Sequence, residues 1–196
     1  ALYLSDGQCI VIKNINDVES EEANLNEFLN AEVTNSISTN SSGDKGEKND
    51  PGQLKCMFLQ TDEEKGDIVK NTKYGVFGQL SNTEGLVDKN LSMRLGGRLS
   101  VNPGKAHIIS SVSGIREEYE IEIIKASYQS KADDKSLVFR VKDKRLLALT
   151  GGIVQGMSGS PIVQNGKLVG AVTHVFMSDP TKGYGVYSDW MVENEC

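Results

Sequence analysis

A chain of 196 residues with a formal net charge of −6 has room for one domain, or two small barrels sharing an interface, around a substantial core. The acidic balance, without a basic stripe or stacking aromatics, excludes a nucleic-acid surface. No apolar run approaches the roughly 18 residues of a membrane span, the first residues do not read as a signal peptide, and an apolar fraction of 38% excludes a disordered chain.

In chain order, Cys9-Ile10-Val11-Ile12 is a short apolar strand candidate. Glu19 to Asn30 can form one short helix with Leu25, Phe28 and Leu29 on one face. Thr34 to Asp50 holds a single large apolar residue, Ile37, and reads as a solvated, flexible loop. Gln53 to Leu59 and Tyr74 to Leu80 are rich in β-formers. Ala106 to Val112, Glu118 to Ile124 and Leu137 to Val141 follow as three more strands, with turn signals at Ser113-Gly114 and Lys131 to Asp134. Many short strands with Gly-rich turns predict an all-β barrel or sandwich. Cys9, Cys56 and Cys196 lack metal-ligand spacing and are odd in number, so they predict neither a metal site nor a complete disulfide set. No cofactor motif is present in the chain.

The chemistry concentrates in Gly151 to His174, "GGIVQGMSGSPIVQNGKLVGAVTH". Glycines on both sides of Ser158 allow a tight turn that projects the hydroxyl. The N–H groups of Gly156 and Ser158 could then stabilise the oxyanion of an acyl-transfer intermediate. Asn165-Gly166, set between Pro161 to Gln164 and Lys167 to Val172, is a strong two-residue hairpin signal. The unit is therefore serine loop, strand, hairpin, strand.

That unit resembles the nucleophile loop of the chymotrypsin-like serine proteases, which implies a double β-barrel. By the same resemblance Val172, Thr173 and His174 would pair with a substrate backbone. The stretch from Thr150 to Met191 is similar nearly word for word to the SpoIVB sporulation serine peptidase family, and weaker similarity through "EYEIEII", "YGVFGQL" and "DPGQLKCMF" extends it over the whole chain. The expectation is one SpoIVB-like peptidase domain over residues 1–196, without the PDZ domain and membrane anchor that family members carry upstream.

The resemblance places the nucleophile on Ser158 and the acid on Asp143, 15 residues earlier. On sequence grounds alone, Asp143 between Lys142 and Lys144 reads as a solvated carboxylate. The family's histidine follows an apolar strand and precedes an Ile-Ser-Asp pattern. Here "CIVIKNINDVES" keeps that frame and has Lys13 where the histidine belongs. The two histidines of the chain are His107, in a strand that matches a non-catalytic one, and His174, in the presumed cleft. Ser-Lys catalysis exists, but Lys13 would have to be neutral near pH 7, and an adjacent Asp143 would favour its charged form. Six residues before the nucleophile stands Gly152, which gives no support for selecting Lys or Arg. The expectation is a pseudoprotease that keeps the cleft, the alternative an active endopeptidase using Lys13. The resemblance further implies peptide or protein segments of membrane-bound sporulation signalling proteins as partners, in the space between forespore and mother cell.

Overall fold

The computed structural model describes residues 2–5, 8–11, 32–34, 55–57, 66–72, 74–81 and 92–193, the first four segments by backbone course alone. Lys13 and the helix expected at Glu19 to Asn30 lie outside the described residues, as does the expected loop beyond Thr34.

Thirteen strands are present among the described residues. β1 (Leu2–Ser5), β2 (Gln8–Val11), β5 (Gly66–Thr72) and β6 (Gly75–Leu80) form an antiparallel sheet in the order β1-β2-β6-β5. β3 (Glu32–Thr34) and β4 (Lys55–Met57) form a separate antiparallel pair. The expected strands at Cys9–Ile12, Gln53–Leu59 and Tyr74–Leu80 thus correspond to β2, shifted one residue toward the N-terminus, β4, shortened at both ends, and β6, which starts one residue later.

The second half builds a closed barrel. β8 (Gly104–Ser110), β9 (Glu117–Ala126), β10 (Leu137–Val141), β11 (Pro161–Gln164), β12 (Lys167–Val175) and β13 (Lys182–Tyr187) run in the order β11-β8-β9-β10-β13-β12. Pairing of β11 with β12 closes the ring, and β7 (Arg94–Leu95) adds outside β12. Closure pairs each strand of the ring on both sides over part of its length, which is how an all-β chain limits its free strand edges. The all-β expectation holds, and this barrel is the C-terminal half expected of a chymotrypsin-like double barrel.

Alternation decides which side chains face inward. Ala106, Ile108 and Ser110 of β8, Tyr119, Ile121 and Ile123 of β9, and Leu137, Phe139 and Val141 of β10 are all buried, while their neighbours face out. Phe139 fills space that a side chain at 183 would need: a Cβ on Gly183 would lie 2.5 Å from the Phe139 ring. The predicted hairpin turn is present, with Asn165 at φ 53° and Gly166 at φ 71°, the left-handed pair a type I′ turn requires.

Two short helices flank the barrel strands. α1 (Lys144–Thr150) starts directly after β10, and α2 (Ser188–Glu193) follows β13. Trp190 and Met191 of α2 are buried in the barrel's core cluster. Arg98 fixes α2 from outside, bonding Asp189 at 3.0 Å and Glu193 at 2.9 Å and lying 4.0 Å from the centre of the Trp190 ring. No helix among the described residues is long and apolar enough to cross a membrane.

Candidate active site

Ser158 sits on the turn that leads into β11. Gly156 (φ 97°) and Gly159 (φ 85°) bracket it in backbone conformations that L side chains rarely adopt. Between them, Met157 points inward and is only 1% exposed, so the turn is pinned to the core through an apolar side chain. Backbone bonds fix the rest. The Met157 N–H donates to the Val154 carbonyl at 3.2 Å and the Ser160 N–H to the Met157 carbonyl at 3.0 Å. The Gly159 N–H donates to the Val172 carbonyl at 2.7 Å, and the Val172 N–H to the Ser160 carbonyl at 2.9 Å.

This leaves the N–H groups of Gly156 and Ser158 without a hydrogen-bond acceptor among the described residues. Gly156 is exposed and Ser158 partly so. Donors of this kind, beside the serine hydroxyl, are the type of group an oxyanion hole is built from. The hydroxyl itself donates to the Thr173 carbonyl at 2.9 Å.

Thr173 and His174 lie on β12 beyond its pairing with β11, which ends at Pro161–Ala171. On their other side β13 pairs with Val172, His174 and Val175. On the β11 side, residues 173–175 have no strand partner among the described residues, and the Thr173 carbonyl there accepts the Ser158 hydroxyl. Thr173 Oγ1 donates to the Asp134 carbonyl at 2.8 Å, tying the β9–β10 connection to this edge. His174 is partly buried, with Nε2 4.0 Å from an Asp134 carboxylate oxygen and Nδ1 buried without a hydrogen-bond partner among the described residues. Behind it Phe176 stacks on Tyr184 at 4.3 Å between ring centres.

Gly152 is buried at φ 145°, and a Cβ there would stand 2.2 Å from the Pro180 carbonyl oxygen. No side chain fits at that position, so no carboxylate can select a basic residue from it.

Asp143 stands elsewhere. It is the N-cap of α1, and one carboxylate oxygen accepts the Arg145 N–H at 2.8 Å and Arg145 Nε at 3.2 Å. The other accepts Arg145 Nη2 at 2.9 Å and the Glu120 N–H at 3.3 Å. The Arg145 side chain, with the backbone bonds from Arg145 and Glu120, lowers the Asp143 pKa to about 2. Its side chain is 11% exposed, against the solvated carboxylate that its sequence neighbours suggest. Asp143 also lines a shallow depression of about 400 Å³ with Lys105, His107, Glu118, Glu120 and Asn165, on the β8–β9 face. Ser158 does not border that depression. His107 is there as well, 3.5 Å from Glu118, and makes no contact with the serine turn.

The structure thus brings together Ser158, Gly156, Val172, Thr173 and His174, and it holds Asp143 in a separate network. Arg145 and Met157 went unrecognised in the sequence. The signals were present: an Asp before "KRLLALT" and a Gly-Gly after it are helix start and stop marks. Among the described residues no group of three His, Cys, Asp or Glu side chains could hold a metal ion.

A closed β-barrel with a serine on a glycine-bracketed turn, two unengaged N–H donors and an adjoining strand edge defines a serine-peptidase type of site. The sequence pattern of the SpoIVB peptidase S55 family matches residues 12–192, and the chain belongs to that family. No curated protein matches the chain. Among solved structures it is similar to the active form of the Rv3671c protease from M. tuberculosis, at 12% identity and a TM-score of 0.46. That similarity covers 74% of this chain, and this chain spans 61% of that protein's length.

Proposed function

We propose that this chain is a peptide-binding serine-peptidase domain of sporulation signalling whose hydrolytic step is impaired. The observation that carries the reading is the state of Ser158. Its turn is formed and its oxyanion donors are unengaged, yet its hydroxyl donates to a backbone carbonyl. A carbonyl oxygen orients the hydroxyl but cannot take its proton as an imidazole can. Lys13, at the family's histidine position by resemblance, is the reason for the impairment. Loss of the base alone lowers kcat in a serine protease by roughly 10⁶, about 8 kcal/mol of barrier.

Binding needs none of that chemistry. An extended segment of a membrane-bound partner would lie along Thr173–Val175 as an added strand, with a carbonyl near the Gly156 and Ser158 N–H groups. The domain would work in the space between forespore and mother cell. The resemblance gives the acid to Asp143, whose oxygens are held by Arg145 and the Glu120 N–H.

The test compares wild type with Ser158→Ala on a mixed peptide library, read by mass spectrometry. The same cleavage background in both, with peptides retained by both, is expected. Cleavage by wild type that vanishes in Ser158→Ala overturns the impairment and supports the Lys13-assisted alternative.

A further inference from the structure

Asp143, Arg145 and the start of β9 form a polar network outside the serine site. Every hydrogen bond of the Asp143 carboxylate described above ends on Arg145 or Glu120. Arg145 in turn ties the start of α1 to β9. Its guanidinium bonds Asp143, the Glu117 carboxylate at 2.9 Å and the Glu118 carbonyl at 2.6 Å, and lies 5.2 Å from the centre of the Tyr119 ring. Glu117 is held in place by Ser113 Oγ at 2.6 Å and the Tyr119 hydroxyl at 2.8 Å.

This network acts on the segment that carries Ser158. Asp143 caps the first turn of α1, where the N–H groups have no partner inside the helix. At the other end Gly151 closes α1 in the left-handed conformation (φ 74°), its N–H donating to the Leu147 carbonyl at 2.9 Å. Thr150 Oγ1 then donates to the Gly152 carbonyl at 2.6 Å, and the Ile153 N–H to the Pro180 carbonyl at 2.7 Å. From Ile153 the chain runs directly into the serine turn. The start of α1 is therefore the fixed end of a short tether, and the other end is the oxyanion-hole turn.

We propose that Asp143 is a positioning residue, which with Arg145 clamps α1 to β9 and so sets the Gly151–Ser158 segment, rather than the acid that orients a catalytic base. The proposal deepens the reading of Ser158 as the reactive side chain, but its test does not depend on catalysis. The two roles separate at Asn. As an N-cap, Asn serves about as well as Asp, whereas Ala loses the acceptor. As a triad acid, Asp cannot be replaced by Asn without a loss of about 10⁴ in kcat.

The experiment is amide hydrogen exchange over residues 144–160, together with the ¹⁵N–¹H signals of Gly156 and Ser158, in wild type, Asp143→Asn, Asp143→Ala and Arg145→Gln. Asp143→Ala is expected to exchange about fivefold faster across α1 and to shift the Gly156 and Ser158 signals. Asp143→Asn, which keeps one oxygen for the Arg145 N–H but turns an NH2 donor toward Arg145 Nη2 and the Glu120 N–H, is expected to fall between wild type and Asp143→Ala on both readouts. Arg145→Gln, which keeps the cap acceptor, should also loosen the 111–117 turn. Unchanged exchange and signals in Asp143→Ala overturn the clamp. So does an Asp143→Asn protein that departs from wild type as far as Asp143→Ala does. Should wild type prove to cleave peptides, the proposed impairment fails while the exchange results still test the clamp, and a loss of about 10⁴ in kcat in Asp143→Asn with exchange unchanged would return Asp143 to the acid's role.

Discussion

Met157→Ala removes a side chain that is 1% exposed and lies between the two residues whose N–H groups form the candidate oxyanion hole. Its thioether packs in the same core cluster as Ile153, Val154 and Leu146. Truncating a fully buried Met to Ala costs about 2–5 kcal/mol, through lost transfer energy and the cavity left behind. For a chain of 196 residues this lowers Tm by roughly 4–20 °C. Met157→Leu, which conserves volume, should cost less than about 1.5 kcal/mol. The assay is urea unfolding followed by Trp190 fluorescence, since that ring is buried in the same cluster. The peptide-retention measurement on the same proteins reads the site. Met157→Ala should lose retention at temperatures where the protein is still folded, because the turn loses its anchor. A loss of stability under about 1 kcal/mol, with retention intact, would refute the claim that core packing sets this turn.

Gly152→Ala should lower the free energy of urea unfolding by more than about 2 kcal/mol, because φ 145° is closed to L residues and the new Cβ would meet the Pro180 carbonyl at 2.2 Å; an unchanged midpoint contradicts the close approach. Asp143 titrates at about 2 in the folded chain, against 3.8 ordinarily, held down first by its hydrogen bond from the Arg145 side chain. A lowered carboxylate pKa contributes stability that is complete above the ordinary value and lost as pH falls from about 4 to about 2. Asp143→Asn should therefore flatten that part of the acid limb in a pH series of unfolding midpoints. Asp179, also held at about 2 by the Lys182 ammonium and Thr181 hydroxyl, keeps its own contribution there. An identical acid limb in the two proteins would contradict the Arg145 pairing.

How much of this was legible beforehand follows from the kind of signal each element carries. β10 matches its expected bounds, Leu137 to Val141, because five residues of apolar character stand between clear turns. The β11–β12 hairpin is written in Asn165-Gly166, since few dipeptides accept two left-handed residues. β5, "GDIVKNT", escaped notice because it is half exposed and polar, and its pairing with β6 is a tertiary fact. β13, "KGYGVY", escaped because its glycines read as turns. In the barrel Gly183 and Gly185 are there to admit Phe139 and Ile162. The serine turn was legible because its chemistry is local: Gly156, Ser158 and Gly159 lie within four residues. Asp143 was not, because its partners Glu120 and Arg145 come from a distant strand and from the helix it caps, and a spacing to Ser158 says nothing of direction.

The proposed impairment comes down to Ser158 lacking an effective base. Intact-mass measurement after incubation with a serine-directed fluorophosphonate tests it most directly, with Ser158→Ala as the control. Wild type is expected to stay at its unmodified mass under conditions that fully label an active serine peptidase. A stoichiometric mass increase in wild type, absent from Ser158→Ala, would contradict it.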